Sequence, residues 1–586
     1  MLRNQETCTG SFFKRYVPSI AIPLALVGIG AVASCSHDWE SYDPRLVDGS
    51  SSATSSSSSS SSGAGGEASS SSGMAGGMGG AGGMGGGGGG PLCVPDTAKA
   101  CYTGAPGTEN VGVCKIGATL CQADGMSYGP CLGEVVPIVE ECSNATDDDC
   151  NGALNDHCSV WSRRAGGSGD QRILSLATDA MGNVIATGRM VNVADFGNGV
   201  LTSAGGYDMF VAKFDGDGNT LWSKRFGGSM YDSGNAVATD PAGNIYVTGS
   251  FSGTVSFDAM MVTAVDVEDA FVLKLDATGA VVWVGTQGGM GNQHGNAIAV
   301  DVDGNVVVTG GFATEIDAGG SQFMAVDMLD GYVLKMDEGG TPIGAMTFGG
   351  LGDDEGTAIA TDGATNIVFT GYFDETVDFG GGVITDGGSL DTFLAKLDPM
   401  GNHLFSKGFP ALGDQFPYSV AVDAAGNYYL FGDFDEFVNF GGGQQASAGD
   451  YDIFVAKLDA TGAHLYTKTF GGPEEDSAGG MVRDKNGDLA ITCATEGVVD
   501  FGGGPISNVG MFGSSDVVVF KLSGSNGAHV WSRRFGNSAD QDSRAITTDG
   551  MNNVFVAGEF SGSINFGSGS MSSNGSDDAF LAKLPP

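Results

Sequence analysis

From about residue 159 onward, short apolar runs alternate with polar turns in a recurring order. One copy reads NAVATD, a turn at 241–244, NIYVTG, a longer loop, DAFVLKLD, a turn at 277–279 and VVWVG. Short runs rich in Val, Ile and Phe between Gly, Asn and Asp turns are typical of antiparallel strands. Helical periodicity is absent from this region. Each unit therefore predicts four β-strands.

Three markers repeat seven times, the first two with spacings of 61 residues and a last spacing of 65, and the third with spacings of 61 followed by 64 and 62. The first marker is the centre of LWSKRFGG, at Trp161, Trp222, Trp283, Gly344, Phe405, Tyr466 and Trp531. The second is the Asp that opens the first turn, at Asp179, Asp240, Asp301, Asp362, Asp423, Asp484 and Asp549. The third is the Asp of DAFVLKLD, at Asp208, Asp269, Asp330, Asp391, Asp452, Asp516 and Asp578.

Seven units of four strands predict an all-β fold, a seven-bladed β-propeller over residues 159–586. The first strand of each unit carries small residues such as Ala238 and Ala299, which suits the crowded axis. The last unit lacks its fourth strand, and residues 159–165 are an extra copy of it. We therefore expect the N-terminal strand to close the ring, which leaves no exposed sheet edge there.

The markers GNIYVTG, DAFVLKLD and LWSKRFGG resemble the bacterial β-propeller repeat known as SBBP. The resemblance covers about residues 159–586 and implies the propeller fold. It implies no particular activity.

The first 34 residues have the pattern of an export signal. Lys14 and Arg15 precede an apolar run that is short for a membrane span and ends at Cys35. The end of this run resembles the lipobox of bacterial lipoproteins, which implies that Cys35 is lipidated and becomes the mature N-terminus. The alternative is an ordinary signal peptide that happens to contain a Cys. Ser36 follows Cys35, which favours the outer membrane or cell surface and an oxidising compartment.

Residues 35–92 and 93–158 form two further predicted segments. In 49–90, 32 of 42 residues are Ser or Gly, which predicts a disordered tether. Residues 93–158 hold eight cysteines without CxxC pairs, which predicts four disulfides of open connectivity. These cysteines are Cys93, Cys101, Cys114, Cys121, Cys131, Cys142, Cys150 and Cys158.

The end of this disulfide-rich module resembles cysteine-rich modules of bacterial surface proteins that are assigned to metal binding. The candidate ligands are Asp147, Asp149, Asn151, Asn155 and Asp156. Asp147, Asp149 and Asn151 match positions 1, 3 and 5 of an EF-hand-like calcium loop, although Cys158 occupies the twelfth position in place of the usual Glu. Calcium is the expected cofactor, and we expect no organic cofactor. The alternative is a solvated acidic turn held by Cys150.

The net charge of the chain limits which classes of binding partner are expected. Asp and Glu outnumber Lys and Arg 69 to 26, for a net charge of −43. This charge repels phosphate backbones and argues against nucleic-acid binding. It favours basic surfaces or calcium. We expect a monomer.

Motifs that resemble catalytic or metal-binding sequences recur at equivalent positions of the repeat. Asp195-Phe196-Gly197 and its copies imitate a kinase triplet but occupy one repeat position, which indicates a structural role. His403, His464 and His529 also share one position, on outer strands that diverge around the rim. Cys493 replaces a Gly and is interpreted as a small buried thiol. No catalytic residues can be assigned from the sequence.

Blade six departs most from the repeat, and we take Arg483, Glu474, Glu475 and Asp476 as candidate ligand-binding residues. Neutral drift in a tolerant surface loop is the alternative.

The sequence thus predicts a lipid-anchored surface protein whose propeller displays a binding surface for an extracellular protein or glycan. The competing hypothesis is an exported hydrolase or lyase that uses the central cleft.

Overall fold

The computed structural model describes residues 93–104, 108–124, 127–136, 147, 150, 160–508 and 513–586. The signal sequence, Cys35 and the tether predicted for 1–92 lie outside these ranges. Secondary structure in the described residues is entirely β and turn. These residues include no helix of the length and hydropathy needed to cross a bilayer.

The described part of the disulfide-rich module is a two-stranded sheet, Ala98–Cys101 paired with Gly117–Leu120. Three disulfides join its cysteines, and they are Cys93–Cys121, Cys101–Cys131 and Cys114–Cys150. Cys142 and Cys158, the other two cysteines of the four predicted disulfides, lie outside the described residues.

Seven four-stranded antiparallel sheets confirm the predicted seven-bladed propeller. We label the strands of each blade A to D from the axis outward. Blade 1 comprises Gln171–Thr178, Val184–Met190, Asp208–Phe214 and Thr220–Phe226. Blade 2 comprises Asp232–Thr239, Ile245–Phe251, Asp269–Leu275 and Val281–Gln287. Blade 3 comprises Gln293–Val300, Val306–Phe312, Asp330–Met336 and Pro342–Phe348. Blade 4 comprises Glu355–Thr361, Ile367–Phe373, Asp391–Leu397 and His403–Gly408.

The other three blades repeat this order, and the last draws its D strand from the start of the propeller. Blade 5 comprises Gln415–Val422, Tyr428–Phe434, Asp452–Leu458 and His464–Phe470. Blade 6 comprises Asp476–Arg483, Leu489–Thr495, Asp516–Leu522 and His529–Phe535. Blade 7 comprises Gln541–Thr548, Val554–Phe560, Asp578–Leu584 and Trp161–Ala165.

Closure by the N-terminal strand is confirmed. Trp161–Ala165 pairs antiparallel with the C strand of blade 7, from Trp161 opposite Lys583 to Ala165 opposite Ala579. The Trp161 indole also donates a hydrogen bond to the carbonyl of Gly216 in blade 1, at 3.1 Å. Gly218, with φ of 79°, lies so close that a Cβ there would be 2.7 Å from the Trp161 ring. Trp161 thus packs between blades 7 and 1.

The lysine of DAFVLKLD and the Asp that opens the first turn form ion pairs in five of the blades, and these pairs are buried or partly buried. The C-strand lysine meets the Asp that opens the A–B turn, as in Lys213–Asp179 at 2.9 Å and Lys521–Asp484 at 2.7 Å. Lys213 also donates a hydrogen bond to the Ala277 carbonyl of the next blade, at 3.4 Å. The pair therefore joins a turn, a strand and the neighbouring blade. Removing one partner of such a buried pair typically costs about 3–5 kcal/mol.

The long B–C connection, predicted as a loop, is a two-stranded hairpin in every blade. The hairpins pair 193–195 with 200–202, 254–257 with 260–263, 315–318 with 321–324, 376–377 with 384–385, 437–438 with 445–446, 498–500 with 505–507, and 563–565 with 570–572. Each hairpin buries an apolar anchor, such as Phe196, whose ring centre is 4.5 Å from that of Phe210. This anchor is the Phe of the kinase-like triplet, so the structural interpretation is confirmed.

Candidate functional site

The A strands surround the axis and begin at one end of the propeller, which we call the upper end. At the lower end the last residue of the A strand is Thr in four blades, Val in two and Arg in one. Thr239 donates to the Thr178 carbonyl at 2.9 Å, and Thr178 donates to the Thr548 carbonyl at 2.9 Å. Near the upper end a one-residue bulge interrupts every A strand. The bulge residue takes six identities in the seven blades, with Asn shared by blades 2 and 3, and is Leu174, Asn235, Asn296, Thr357, Tyr418, Gly479 or Arg544. Sevenfold equivalence is therefore lost at the upper mouth of the channel.

A polar cluster at this mouth joins blades 3 and 4. Glu355 is buried and accepts hydrogen bonds from Asn296 Nδ2 at 2.7 Å and from the Tyr372 hydroxyl at 2.5 Å. His294 Nε2 also contacts Glu355 Oε1, and its side chain remains 20 % exposed. These contacts place a partly exposed imidazole on a buried carboxylate.

The surroundings of Glu355 favour its charged form. Burial opposes ionisation, but the charge of His294 and the three hydrogen bonds outweigh it, so the pKa of Glu355 is below its ordinary value. Burial and the nearby Glu355 charge raise the pKa of Tyr372 well above its ordinary value, so this phenol stays protonated. A buried carboxylate that holds a histidine can orient it for proton transfer.

A second network crosses the junction between blades 7 and 1. Glu559 is buried and lies 3.1 Å from Arg544 Nη2 and 3.8 Å from Arg172 Nη1. Arg189 lies over the Tyr207 ring, 5.2 Å from its centre. Between this network and His294, an aromatic cluster of Tyr372, Phe416 and Tyr451 occupies the junction of blades 4 and 5. The upper mouth thus carries a His–Glu contact at blades 3 and 4, aromatic rings at blades 4 and 5, and an Arg–Glu network at blades 7 and 1.

A ring of buried Asp and Gln side chains lies at the same end. These residues precede or begin the A strands and are Gln171, Asp232, Gln293, Asp354, Gln415, Asp476 and Gln541. Each Asp accepts a backbone N–H from the preceding D–A loop, such as Gly228 to Asp232 at 2.7 Å and Gly350 to Asp354 at 2.7 Å. Burial raises the pKa of Asp232 to about 7 and of Asp354 to about 8.

The structure separates the candidate ligand-binding residues of blade six. Asp476 and Arg483 are the first and last residues of one A strand, which puts them about 23 Å apart at 3.3 Å per residue. Asp476 is buried and accepts the N–H of Gly472 at 2.8 Å. Glu474 and Glu475 lie beside Glu496, whose pKa rises to about 7 because of its burial and their charges. Arg483 therefore cannot share one compact site with the acidic loop.

The other candidate residues are placed as follows. Asp147 is buried, and its carbonyl accepts the N–H of Val113 at 3.2 Å. The remaining candidate calcium ligands, Asp149, Asn151, Asn155 and Asp156, lie outside the described residues. Within the described ranges, no three His, Cys, Asp or Glu side chains are placed to hold a metal ion. Cys493 is buried, as interpreted from the sequence, and burial raises the pKa of its thiol well above the ordinary value.

The outer-strand histidines remain separate. His403 contacts Ser406 of its own blade at 2.9 Å, and His464 contacts Thr467 at 3.0 Å. His294 and Glu355 were not predicted as site residues, although the sequence carries one signal for them. They occupy the same position in neighbouring repeats, a column that reads Arg172, Ser233, His294, Glu355, Phe416, Ser477 and Asp542. This column varies in charge and size more than its neighbours.

Comparison with known proteins supports the repeat. Residues 221–250 match the family model described as Beta-propeller repeat, SBBP. A stretch of 155 residues is 29 % identical to the Uncharacterized WD repeat-containing protein L264 of Acanthamoeba polyphaga mimivirus. That match covers 24 % of this chain and 11 % of the viral protein, so the chain spans about a tenth of this relative's length.

Solved propellers are similar only at low identity. A protein of unknown function from Bacteroides caccae is 13 % identical, covering 57 % of this chain and 92 % of that one, with a TM-score of 0.31. Quinohemoprotein alcohol dehydrogenase from Comamonas testosteroni is 12 % identical, covering 71 % and 69 %, with a TM-score of 0.34. Sqt1 of Chaetomium thermophilum is 11 % identical, covering 73 % and 98 %, with a TM-score of 0.36. These values carry no conclusion about activity.

Proposed function

We propose that this chain is an exported lipoprotein, held at the outer membrane or cell surface by lipid on Cys35, whose propeller binds a partner at its upper end. The observation that supports binding there is the loss of sevenfold equivalence at the upper mouth, because a purely structural ring needs no such variety. The predicted tether of residues 35–92 would let the propeller stand away from the membrane. The predicted calcium site at Asp147 would belong to the disulfide-rich module and not to this surface.

The anchor is tested by replacing Cys35. We expect Cys35→Ala to move the protein from the membrane fraction to the soluble fraction and to abolish incorporation of labelled palmitate, because a chain without acyl groups has no other anchor in this proposal. Cys8→Ala is the matched control, since Cys8 lies in the predicted signal sequence and should be removed with it. A Cys35→Ala protein that stays in the membrane fraction would contradict the lipoprotein assignment.

A second candidate function is an exported hydrolase or lyase, and the contact between His294 and Glu355 is the observation that favours it. In that case His294 would accept or donate the proton and Glu355 would orient it. Turnover of polymer and small-ester panels by the wild-type chain would have to disappear in His294→Gln and persist in His403→Gln, the matched change on an outer strand. For the binding protein we expect no turnover in any of the three.

A further inference from the structure

Three consecutive D–A loops at the upper end each expose one apolar side chain at the same position. Met290, Leu351 and Leu412 are 52 %, 53 % and 54 % exposed. The same position is Ser168 before blade 1 and Ser538 before blade 7. A polar residue is therefore compatible with this loop position, and the loops before blades 3 to 5 carry an apolar residue instead.

The B–C loops of blades 2 and 3 extend the exposed apolar surface. Val265, Val267, Val326 and Met328 are all about half exposed or more, as is Met230 in the D–A loop before blade 2. We call these five residues together with Met290, Leu351 and Leu412 the apolar arc. Isolated exposed apolar residues are ordinary, but a contiguous set marks an interaction surface.

Hydrogen bonds from the backbone join the B–C loops of blades 2 and 3 to the D–A loops that follow them and hold these loops of the arc in place. The Gln293 N–H donates to the Glu268 carbonyl at 3.0 Å, and the Asp354 N–H donates to the Leu329 carbonyl at 2.8 Å. The Gly291 N–H donates to Asp266 Oδ2 at 3.1 Å. Each B–C loop is thus fastened to the D–A loop that follows it. A surface ordered before binding loses little conformational entropy when a partner docks.

Carboxylates alternate with the apolar tips of the arc. Asp266 separates Val265 from Val267, and Asp327 separates Val326 from Met328. The loops that carry the arc, residues 227–232, 264–268, 288–292, 325–329, 349–354 and 410–414, contain no Lys or Arg. A matching partner needs apolar side chains interleaved with positive charge.

We propose that the apolar arc docks a protein segment of cationic amphipathic character, with Lys or Arg between aliphatic or aromatic side chains. This inference rests on the proposed binding function and names its partner class. Charge complementarity favours a protein over a bilayer, because anionic headgroups would be repelled by these carboxylates. Apolar contact would supply affinity, and the carboxylates would supply orientation and association rate.

The test uses the chain with Cys35→Ala and a fluorescent amphipathic helical peptide made of Leu and Lys. We expect saturable binding by fluorescence anisotropy, and a Kd about tenfold or more higher for Met290→Ser/Leu351→Ser/Leu412→Ser, because these changes remove three apolar contacts. Glu268→Gln/Asp327→Asn/Asp353→Asn should weaken binding and reduce its salt dependence. The matched control is Val282→Ser/Leu404→Ser/Leu465→Ser, three outer-strand positions of similar exposure, which should leave the Kd unchanged.

Four results would overturn the inference. They are equal Kd values for the arc and outer-strand variants, equal binding of a Leu and Glu peptide, equal binding of a Lys peptide without Leu, and arc-dependent sedimentation with neutral lipid vesicles. Thermal melts of each variant verify folding. Failure here would leave the Cys35 result untouched, so the anchor and the partner class are judged separately.

Discussion

Deletion of residues 159–165 is expected to replace one cooperative unfolding transition by a broader one at lower temperature. The deletion removes the D strand of blade 7 and uncovers the 578–584 strand, whose unpaired edge would then face solvent. It also removes the Trp161 hydrogen bond to Gly216 and the Arg164–Asp578 ion pair at 3.0 Å. Blades 7 and 1 would lose the contacts made through this strand and keep those between their A strands.

Single substitutions separate closure from the packing of one side chain. Trp161→Ala alone should cost about 3–5 kcal/mol, as for other buried tryptophans. Trp222→Ala is the matched change on a D strand inside the ring, and its transition should stay cooperative. A synthetic peptide of residues 159–166 added to the deleted chain should restore part of the lost melting temperature by strand addition. Calorimetry is the measurement, and an unchanged transition after deletion would show that the ring closes in another way.

The free energy of unfolding is expected to fall as the pH rises from about 5 to 8.5. Burial raises the pKa of Asp232 to about 7 and of Asp354 and Asp476 to about 8, with a contribution from the Asp that begins the preceding C strand. In the unfolded chain these carboxyls lose their protons near pH 4. Between these values the folded state binds more protons than the unfolded state, so raising the pH favours unfolding.

The size of this effect should be large because three carboxyls act in the same direction. Each pKa unit corresponds to about 1.4 kcal/mol, so the loss across this range is on the order of several kcal/mol. The variant Asp232→Gln/Asp354→Gln/Asp476→Gln copies the residue found at the other four junctions and should flatten the dependence. Gln293→Glu, which adds a buried carboxyl, should steepen it. Denaturant titrations at each pH are the measurement, and equal slopes in wild type and the triple Gln variant would contradict the assignment.

The repeated parts of the fold could be predicted because seven copies report on the same positions. Small residues such as Ala238 marked the strand nearest the axis, and the extra Trp161 strand indicated closure. The B–C hairpins were missed because their strands are as short as Thr376–Val377, too short for a periodic pattern. The structural role of their buried phenylalanines was predicted correctly, but the rings against which these phenylalanines pack were not predicted.

The polar cluster at the upper mouth could not be predicted because it depends on distance from the axis. His294 and Glu355 are 61 residues apart at equivalent positions of neighbouring blades. On outer strands such positions diverge, as His403 and His464 do, but on A strands they converge. Departure from the repeat therefore indicated blade six, whereas the inner column of His294 and Glu355 has no common residue from which a copy could depart.

The ring of Asp and Gln carries information about how the propeller is assembled from its blades. Gln and Asp alternate from Gln171 to Gln541. The repeating unit of this ring is therefore two blades. An odd number of blades cannot close such an alternation, and the two like neighbours, Gln541 and Gln171, meet where the chain ends are joined. A single blade removed or inserted within blades 2 to 6 creates a new Asp–Asp or Gln–Gln neighbour, whereas removal of blade 7, or insertion of one Asp-bearing blade between blades 7 and 1, leaves an even ring in which Asp and Gln alternate throughout. Propellers of six or eight blades engineered from this chain should therefore be made by a change at the joint between blades 7 and 1.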